Sequence, residues 1–178
     1  MSTASRRAGQ VTIVADMARA FEVSATVGLL ADYPHLVADV GLMRWREWGR
    51  PPEPTDPDFW VSVTGEEAGR ISLPVSWVAV DGNGRAVGAV GLGKFDIEER
   101  RDRSPWVLGM IVHPDARRRG IGRMLLATLA DWAKSRGDLQ VWVATGDAAV
   151  AFYVDCGWEA IETFTRASGE MTRVLRVM

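Results

Sequence analysis

The run Val112-His113-Pro114-Asp115-Ala116-Arg117-Arg118-Arg119-Gly120-Ile121-Gly122-Arg123 joins the end of one apolar segment to the start of another. Trp106 to Val112 is uninterrupted by charge and reads as a strand. Gly120 to Arg136 carries Ile121, Met124, Leu125, Leu129 and Trp132 on one stripe and closes on Lys134, Arg136 and Gly137, the pattern of an amphipathic helix. The charge at this junction is on the wrong end. A cation near a helix N-terminus opposes the macrodipole by about 0.3 to 1 kcal/mol, and Asp115 is the one acid between Trp106 and Ala130. A phosphate-bearing ligand would relieve that conflict by accepting from the free first-turn amides while the arginines neutralise it. Gly120 and Gly122 would let the backbone approach. Taken alone, the Arg-x-x-Gly-x-Gly run is equally compatible with a solvated basic turn.

Outward from this junction, turn and helix signals order the rest of the chain. Val75 to Val80 and Ala86 to Phe95 read as strands around the hairpin turn Asp81-Gly82-Asn83-Gly84. Leu139 to Ala144 reads as a buried strand and Asp147 to Cys156 as a helix, followed by strands near Trp158 to Phe164 and Met171 to Val177. Upstream, Ser24 to Leu30 is a candidate first strand, with Val11 to Val14 a weaker candidate beyond a polar start. Asp32 and Pro34 are then read as the N-cap and first turn of a helix running to Trp48 and stopped by Gly49. The stretch Pro51-Pro52-Glu53-Pro54-Thr55-Asp56-Pro57 breaks any helix and is read as a loop near a substrate entrance. Phe59 to Ala68 is a second short helix.

Composition removes several classes of function. The 178 residues suit one domain, read as 21–178 with 1–20 as an extension. With 21 basic against 23 acidic residues there is no global basic field for nucleic acid, so any anion site is local. Cys156 is the sole cysteine, and only His35 and His113 accompany it, so neither a disulfide framework nor a zinc site is expected. The first twenty residues lack an apolar stretch suited to a signal peptide or span. A cytoplasmic protein acting without a membrane, nucleic acid or metal is expected.

The junction resembles the acetyl-coenzyme A loop of the GCN5-related N-acetyltransferase (GNAT) family, Q/R-x-x-G-x-G/A between the fourth strand and the third helix. Arg117, Gly120 and Gly122 match it. Some thirty residues on, Ala149, Phe152, Tyr153 and Gly157-Trp158 match the family's second signature, A-x-x-F-Y-x-x-x-G-F. The asparagine that usually begins that signature is replaced by Gly146. The likeness covers about Val75 to Phe164, and the first seventy residues follow the family only in element order.

The resemblance implies a single-domain α/β fold: a mixed, largely antiparallel sheet of six or seven strands with helices on both faces. Its central strands would splay near Val112 and Val143, admitting the pantetheine arm. It assigns cofactor contacts to Ile111, Val112, Arg117, Arg118, Arg119, Gly120, Ile121, Gly122 and Arg123. Acetyl would pass to a primary amine by direct attack, with a backbone amide of the Trp106 to Val112 strand stabilising the oxyanion. Tyr153 would act as general acid toward the leaving thiolate. The glutamate that many members carry on the fourth strand is missing, so either the base is reached through water among Asp96, Glu98 and Glu99, with Glu98 favoured, or the acceptor arrives already neutral.

Other signals are read as structural. Gly88-Ala89-Val90-Gly91-Leu92-Gly93-Lys94 fits the first seven places of a P-loop, but Phe95 stands where Ser or Thr would hold magnesium, so it is taken as a glycine-containing strand. His113 and Cys156 lack an oriented partner. Most of the eight tryptophans are expected in the core, with one or two lining an acceptor pocket. The acceptor, a small molecule or a peptide amine, is left open, as is monomer against homodimer. A non-catalytic acyl-coenzyme A binding or sensing domain is the rival reading.

Overall fold

The computed structural model of the chain describes residues 25–178. The candidate strand at Val11 to Val14 and the extension over 1–20 lie outside the described residues. Seven strands, β1 (Thr26–Leu29), β2 (Val75–Val80), β3 (Ala86–Gly93), β4 (Trp106–Val112), β5 (Val141–Thr145), β6 (Glu159–Thr165) and β7 (Met171–Val177), form one sheet in the order β1-β2-β3-β4-β5-β7-β6. Every neighbouring pair is antiparallel except β4 and β5. Helices α1 (Val37–Trp48), α2 (Pro57–Glu66), α3 (Ile121–Ser135) and α4 (Asp147–Asp155) complete the expected order and the mixed, largely antiparallel architecture.

Alternation along the strands sorts the core into layers. Trp77, Val90, Val107, Val143 and Leu175 face one side, where Ile121, Leu125 and Leu129 of α3 and Tyr153 of α4 cover them. Val78, Ala89 and Ile111 face the other side and meet Val40 and Met43 of α1. Val107 and Ile111 are four residues apart on one strand, so a regular pleat would put them on the same face. A register shift opposite Ala89 to Gly91 inserts one residue into β4 and reverses the parity. Gly109 absorbs it at φ +49°, in the left-handed region. A third cluster, Ile97, Trp106, Trp142 and Val174, lies beneath the β3–β4 connection, whose Arg100 and Arg103 stack over Phe164 and Trp142.

Several boundaries differ from those expected. Asp32 does not cap α1: Leu30–Asp32 and Pro34–Leu36 are two 3-10 turns, and the helix starts at Val37. Asp32 pairs instead with Arg70. Helix α2 begins at Pro57, because the Asp56 carboxylate accepts from the Asp58 N–H (3.0 Å) and proline at the first position forfeits no bond. Leu139 is 85% exposed and precedes β5; the chain there is held by Arg136 on Asp138 (3.1 Å). Strand β3 ends at Gly93, before Lys94 and Phe95. No helix among the described residues is long and apolar enough to cross a membrane.

The β2–β3 turn follows its expectation, and Asp81 is the reason. Its carboxylate accepts from the amides of Asn83 (2.9 Å) and Arg85 (3.0 Å) and from the Arg85 guanidinium (2.9 Å). The Arg85 amide first, with the other donors, holds the carboxyl below its usual range against an opposing effect of burial. A depressed folded-state value contributes stability above the unfolded pKa and loses it as the pH falls through the folded one. Asp81→Ala should therefore lower the melting temperature at pH 7, and circular dichroism melts should show the gap closing as the pH drops below about 4.

Candidate active site

Strands β4 and β5 touch at one register, Trp106 beside Trp142, where the Trp142 N–H donates to the Pro105 carbonyl (2.9 Å). Beyond that point they diverge. The His113 N–H donates to Val87 on the β3 side (2.9 Å), so the neighbouring Val112 peptide group points toward the opening. Two cavities meet in the fork. One, of about 770 Å³, lies between β4, the loop before α3, and α4. The other, of about 350 Å³, lies toward α1, α2 and the β6–β7 turn. Trp48, Met110, Thr145, Gly146 and Tyr153 line both.

The larger cavity is built from the loop that opens α3. Arg118 (φ +61°) and Gly120 (φ +79°) are both left-handed, and α3 starts without a side-chain cap, leaving first-turn amides without side-chain acceptors. Successive peptide N–H groups in such a loop form a concave anion receptor. Of the residues expected to touch a cofactor, Ile111, Val112, Arg117, Arg118, Gly120, Ile121, Gly122 and Arg123 line this cavity, and Arg119 does not. Arg117 is already engaged: Nε donates to the Val112 carbonyl (3.0 Å) and Nη2 to Glu47 of α1 (2.9 Å). Arg123 reaches the Asp155 carbonyl (2.7 Å). A Cβ on Gly122 would lie 2.9 Å from the Phe152 ring and 3.1 Å from the Met110 methyl, so this glycine keeps the wall of the cleft closed behind the loop.

Tyr153 sits at the meeting point of the cavities. Its ring packs edge-on against Phe152 (5.3 Å) and Trp158 (5.4 Å). Burial, reinforced by Cys156 and Asp96, pushes the phenol well above its usual range, so it carries its proton at neutral pH. Burial also raises the Cys156 thiol, which leaves a poor nucleophile. His113 caps the 3-10 turn Pro114–Ala116, its Nδ1 accepting from the Asp115 N–H (3.3 Å).

The carboxylates of the β3–β4 connection part company. Glu98, the expected base, lies on an exposed turn with both oxygens bound by Arg101 (2.6 Å each), which lowers its pKa, and it lines neither cavity. Glu99 accepts from the Ala167 N–H (3.2 Å) and holds the β6–β7 turn. Asp96 lines the smaller cavity. Water reaches it through the cleft mouth, yet protein crowds its other sides. This desolvation pushes the carboxyl up to about 6, with Arg166 opposing and Glu67 and Glu53 assisting. The sequence offered one hint: Ile97 is the sole apolar residue in the charged run 96–103, and its burial in the third cluster fixes which way Asp96 turns. Trp48, Trp60, Glu53, Arg166, Glu170 and Thr172 complete this wall. None had been assigned a role individually.

A profile of the Acetyltransferase (GNAT) family matches residues 40–158, and the chain belongs to that family. It is 40% identical over 55 residues to the [ribosomal protein bS18]-alanine N-acetyltransferase of Salmonella typhimurium, a match spanning 29% of this chain and 37% of that relative. The fold is similar to that of an aminoglycoside 6'-N-acetyltransferase complexed with coenzyme A (TM-score 0.67, 15% identity, 85% of this chain and 96% of that one). It is also similar to the ribosomal-protein-S18-alanine N-acetyltransferase from Escherichia coli (TM-score 0.59, 18% identity, 86% and 93%).

The opposite shifts of Asp96 and Glu98 have opposite consequences for stability. A carboxyl raised on folding destabilises the native state once the pH exceeds its folded value, and one that is depressed stabilises it there. Asp96→Asn should raise the melting temperature at pH 8, with the difference disappearing below about pH 4. Glu98→Gln should lower it slightly over the same range, as befits an exposed ion pair. Thermal melts across pH 3 to 8 read both.

Proposed function

We propose that this chain transfers an acetyl group from acetyl-coenzyme A to a primary amine by direct attack. The observation that carries the reading is the meeting of the two cavities at Tyr153, with an anion-receptive loop on one side and Asp96 on the other. The left-handed turns at Arg118 and Gly120 and the uncapped start of α3 suit a diphosphate. The edge of β4 beyond Trp106, which no strand covers and where Arg117 already occupies the Val112 carbonyl, suits an amide-bearing arm, and the co-substrate supplies an activated carbonyl when bound.

Each residue then has a task. A backbone amide at the Gly109–Met110 bulge, where the β3–β4 register shifts, receives the developing oxyanion. An amine with a pKa of about 10.4 arrives as ammonium, and Asp96, ionised above about 6, takes its proton. The nitrogen lone pair forms the new C–N bond as the C–S bond breaks, and Tyr153 gives its proton to the departing thiolate. In the acceptor wall the carboxylates Glu53, Asp96 and Glu170 outnumber Arg166, which itself lies 3.8 Å from Glu99 and 4.0 Å from Glu170. The indoles of Trp48 and Trp60 add two π faces, and the Trp60 N–H is spent on the Pro54 carbonyl (2.8 Å). Such a wall favours a cationic acceptor.

Tyr153→Phe should lower kcat on the order of a hundredfold with little change in acetyl-coenzyme A affinity. Asp96→Asn should depress the rate most below the acceptor's pKa and recover as alkali deprotonates the amine in solution. Thiol release from acetyl-coenzyme A against panels of amines measures both, and wild-type rates in both variants would reject the assignments. In calorimetric titration Gly122→Glu should abolish cofactor binding by driving a side chain into Phe152, whereas Arg118→Ala should weaken it about tenfold; equal affinities would remove the loop from the site.

A further inference from the structure

Arg44, in the middle of α1, is 2% exposed. Its Nη1 donates to Thr64 Oγ1 (3.2 Å) and to the Glu67 carboxylate (2.7 Å), and its Nε donates to the carbonyl of Gly109 (3.3 Å). Nη2 has no partner among the described residues. The guanidinium lies flat against the Gly109 backbone, since a Cβ there would fall 2.6 Å from Nε and 2.7 Å from Cζ. One planar group thus contacts α1's neighbour α2, the acid that follows it, and the one left-handed residue of β4. A lysine ammonium cannot make that set of contacts, having neither the plane nor the fork.

We propose that Arg44 is a positioning residue for acyl transfer, holding the Gly109 bulge in register with the reacting centre. Without the wedge, the left-handed Gly109 has nothing to fix its carbonyl, and the neighbouring amide shifts relative to the thioester. Misplacement of about 1 Å costs on the order of a hundredfold in rate. The proposal rests on the reading of this cleft as the site of acyl transfer. The Arg44 charge is itself balanced by the Glu67 carboxylate at 2.7 Å.

The test uses the full chain with Arg44→Lys, Glu67→Gln and the double variant Arg44→Met with Glu67→Gln. It reads kcat, calorimetric acetyl-coenzyme A affinity and the carbon-detected NMR titration of Asp96. Arg44→Lys and the double variant should each lose kcat on the order of a hundredfold, with cofactor affinity and the Asp96 midpoint unchanged, because both keep the local charge balanced. Glu67→Gln, which leaves the Arg44 Nε bond to the Gly109 carbonyl in place, should keep most of its kcat. Wild-type kcat in Arg44→Lys and the double variant would overturn the positioning role, as would a loss of kcat in Glu67→Gln equal to theirs. If the double variant loses its near-ultraviolet circular dichroism, Arg44→Lys decides the first point alone. An active Asp96→Asn would remove Asp96 as base, a result separate from the loss of kcat on altering Arg44.

Discussion

The single register at which β4 meets β5 is the constraint on which the site depends. A parallel pair continued along its length would bury both strand edges in a ladder and leave no opening. Here the pairing ends after Trp106 and Trp142, and the inserted residue at Gly109 turns the remainder of β4 over, so that Met110 joins the α3 layer and Ile111 the α1 layer. The peptide groups so exposed are obligatory hydrogen-bonding partners. Placed in a cleft open to solvent, they cost little unliganded and are ready for a ligand that brings its own amides. The two tryptophans at the closed end of the fork, 6.2 Å apart and clamped by Arg103, keep the divergence from travelling further.

Charge is divided across the fork. On the α3 side, Arg117 and Arg118 crowd a helix N-terminus, and the protein relieves part of the conflict internally by giving Arg117 to Glu47 and the Val112 carbonyl. Arg118, left-handed and exposed, keeps the uncompensated charge. On the opposite side the carboxylates predominate. The Tyr153 phenol and the Asp96 carboxyl, which both line the smaller cavity, are both raised chiefly by desolvation, yet the outcomes differ because their ordinary values differ. The carboxyl ends near 6 and is ionised at neutral pH, and the phenol ends further above it. One kind of environment thus leaves one group ionised and the other protonated at neutral pH.

The anion loop, α3, the β2–β3 hairpin and the second signature were legible because each is local: a period of 3.6, a turn tetrapeptide, a glycine spacing. The starts of α1 and β5 were not. Pro34 carries the same sequence signal in a 3-10 turn as in an α-helix, and Leu139 is apolar without being buried. The bulge was hidden for a similar reason. Trp106 to Val112 reads as a plain buried strand, and what marks Gly109 as the inserted residue is Arg44, 65 positions away in sequence. The order of Asp96, Glu98 and Glu99 likewise says nothing about which side chain turns inward. Their partners do: Arg101 holds Glu98, Ala167 holds Glu99, and Asp96 alone of the three faces the cavity.

The absence of a carboxylate from β4 changes what the β3–β4 connection is for. In a strand, a carboxylate would inherit the rigidity of the sheet. On a connection it needs an anchor, and the segment supplies one at each side of Asp96's successors. Ile97 is buried beneath Trp106, and Arg100 and Arg103 both reach Glu162 on β6. Those arginines also cover Phe164 and Trp142, so the contacts that anchor this connection are the ones that seal the third apolar cluster. The Asp96 carboxyl is raised first by desolvation at the smaller cavity, with Glu67 and Glu53 of the α1–α2 unit adding to the shift. The same unit carries Arg44 onto the Gly109 bulge, so a shift of that unit against the sheet would alter the cavity wall and the bulge together.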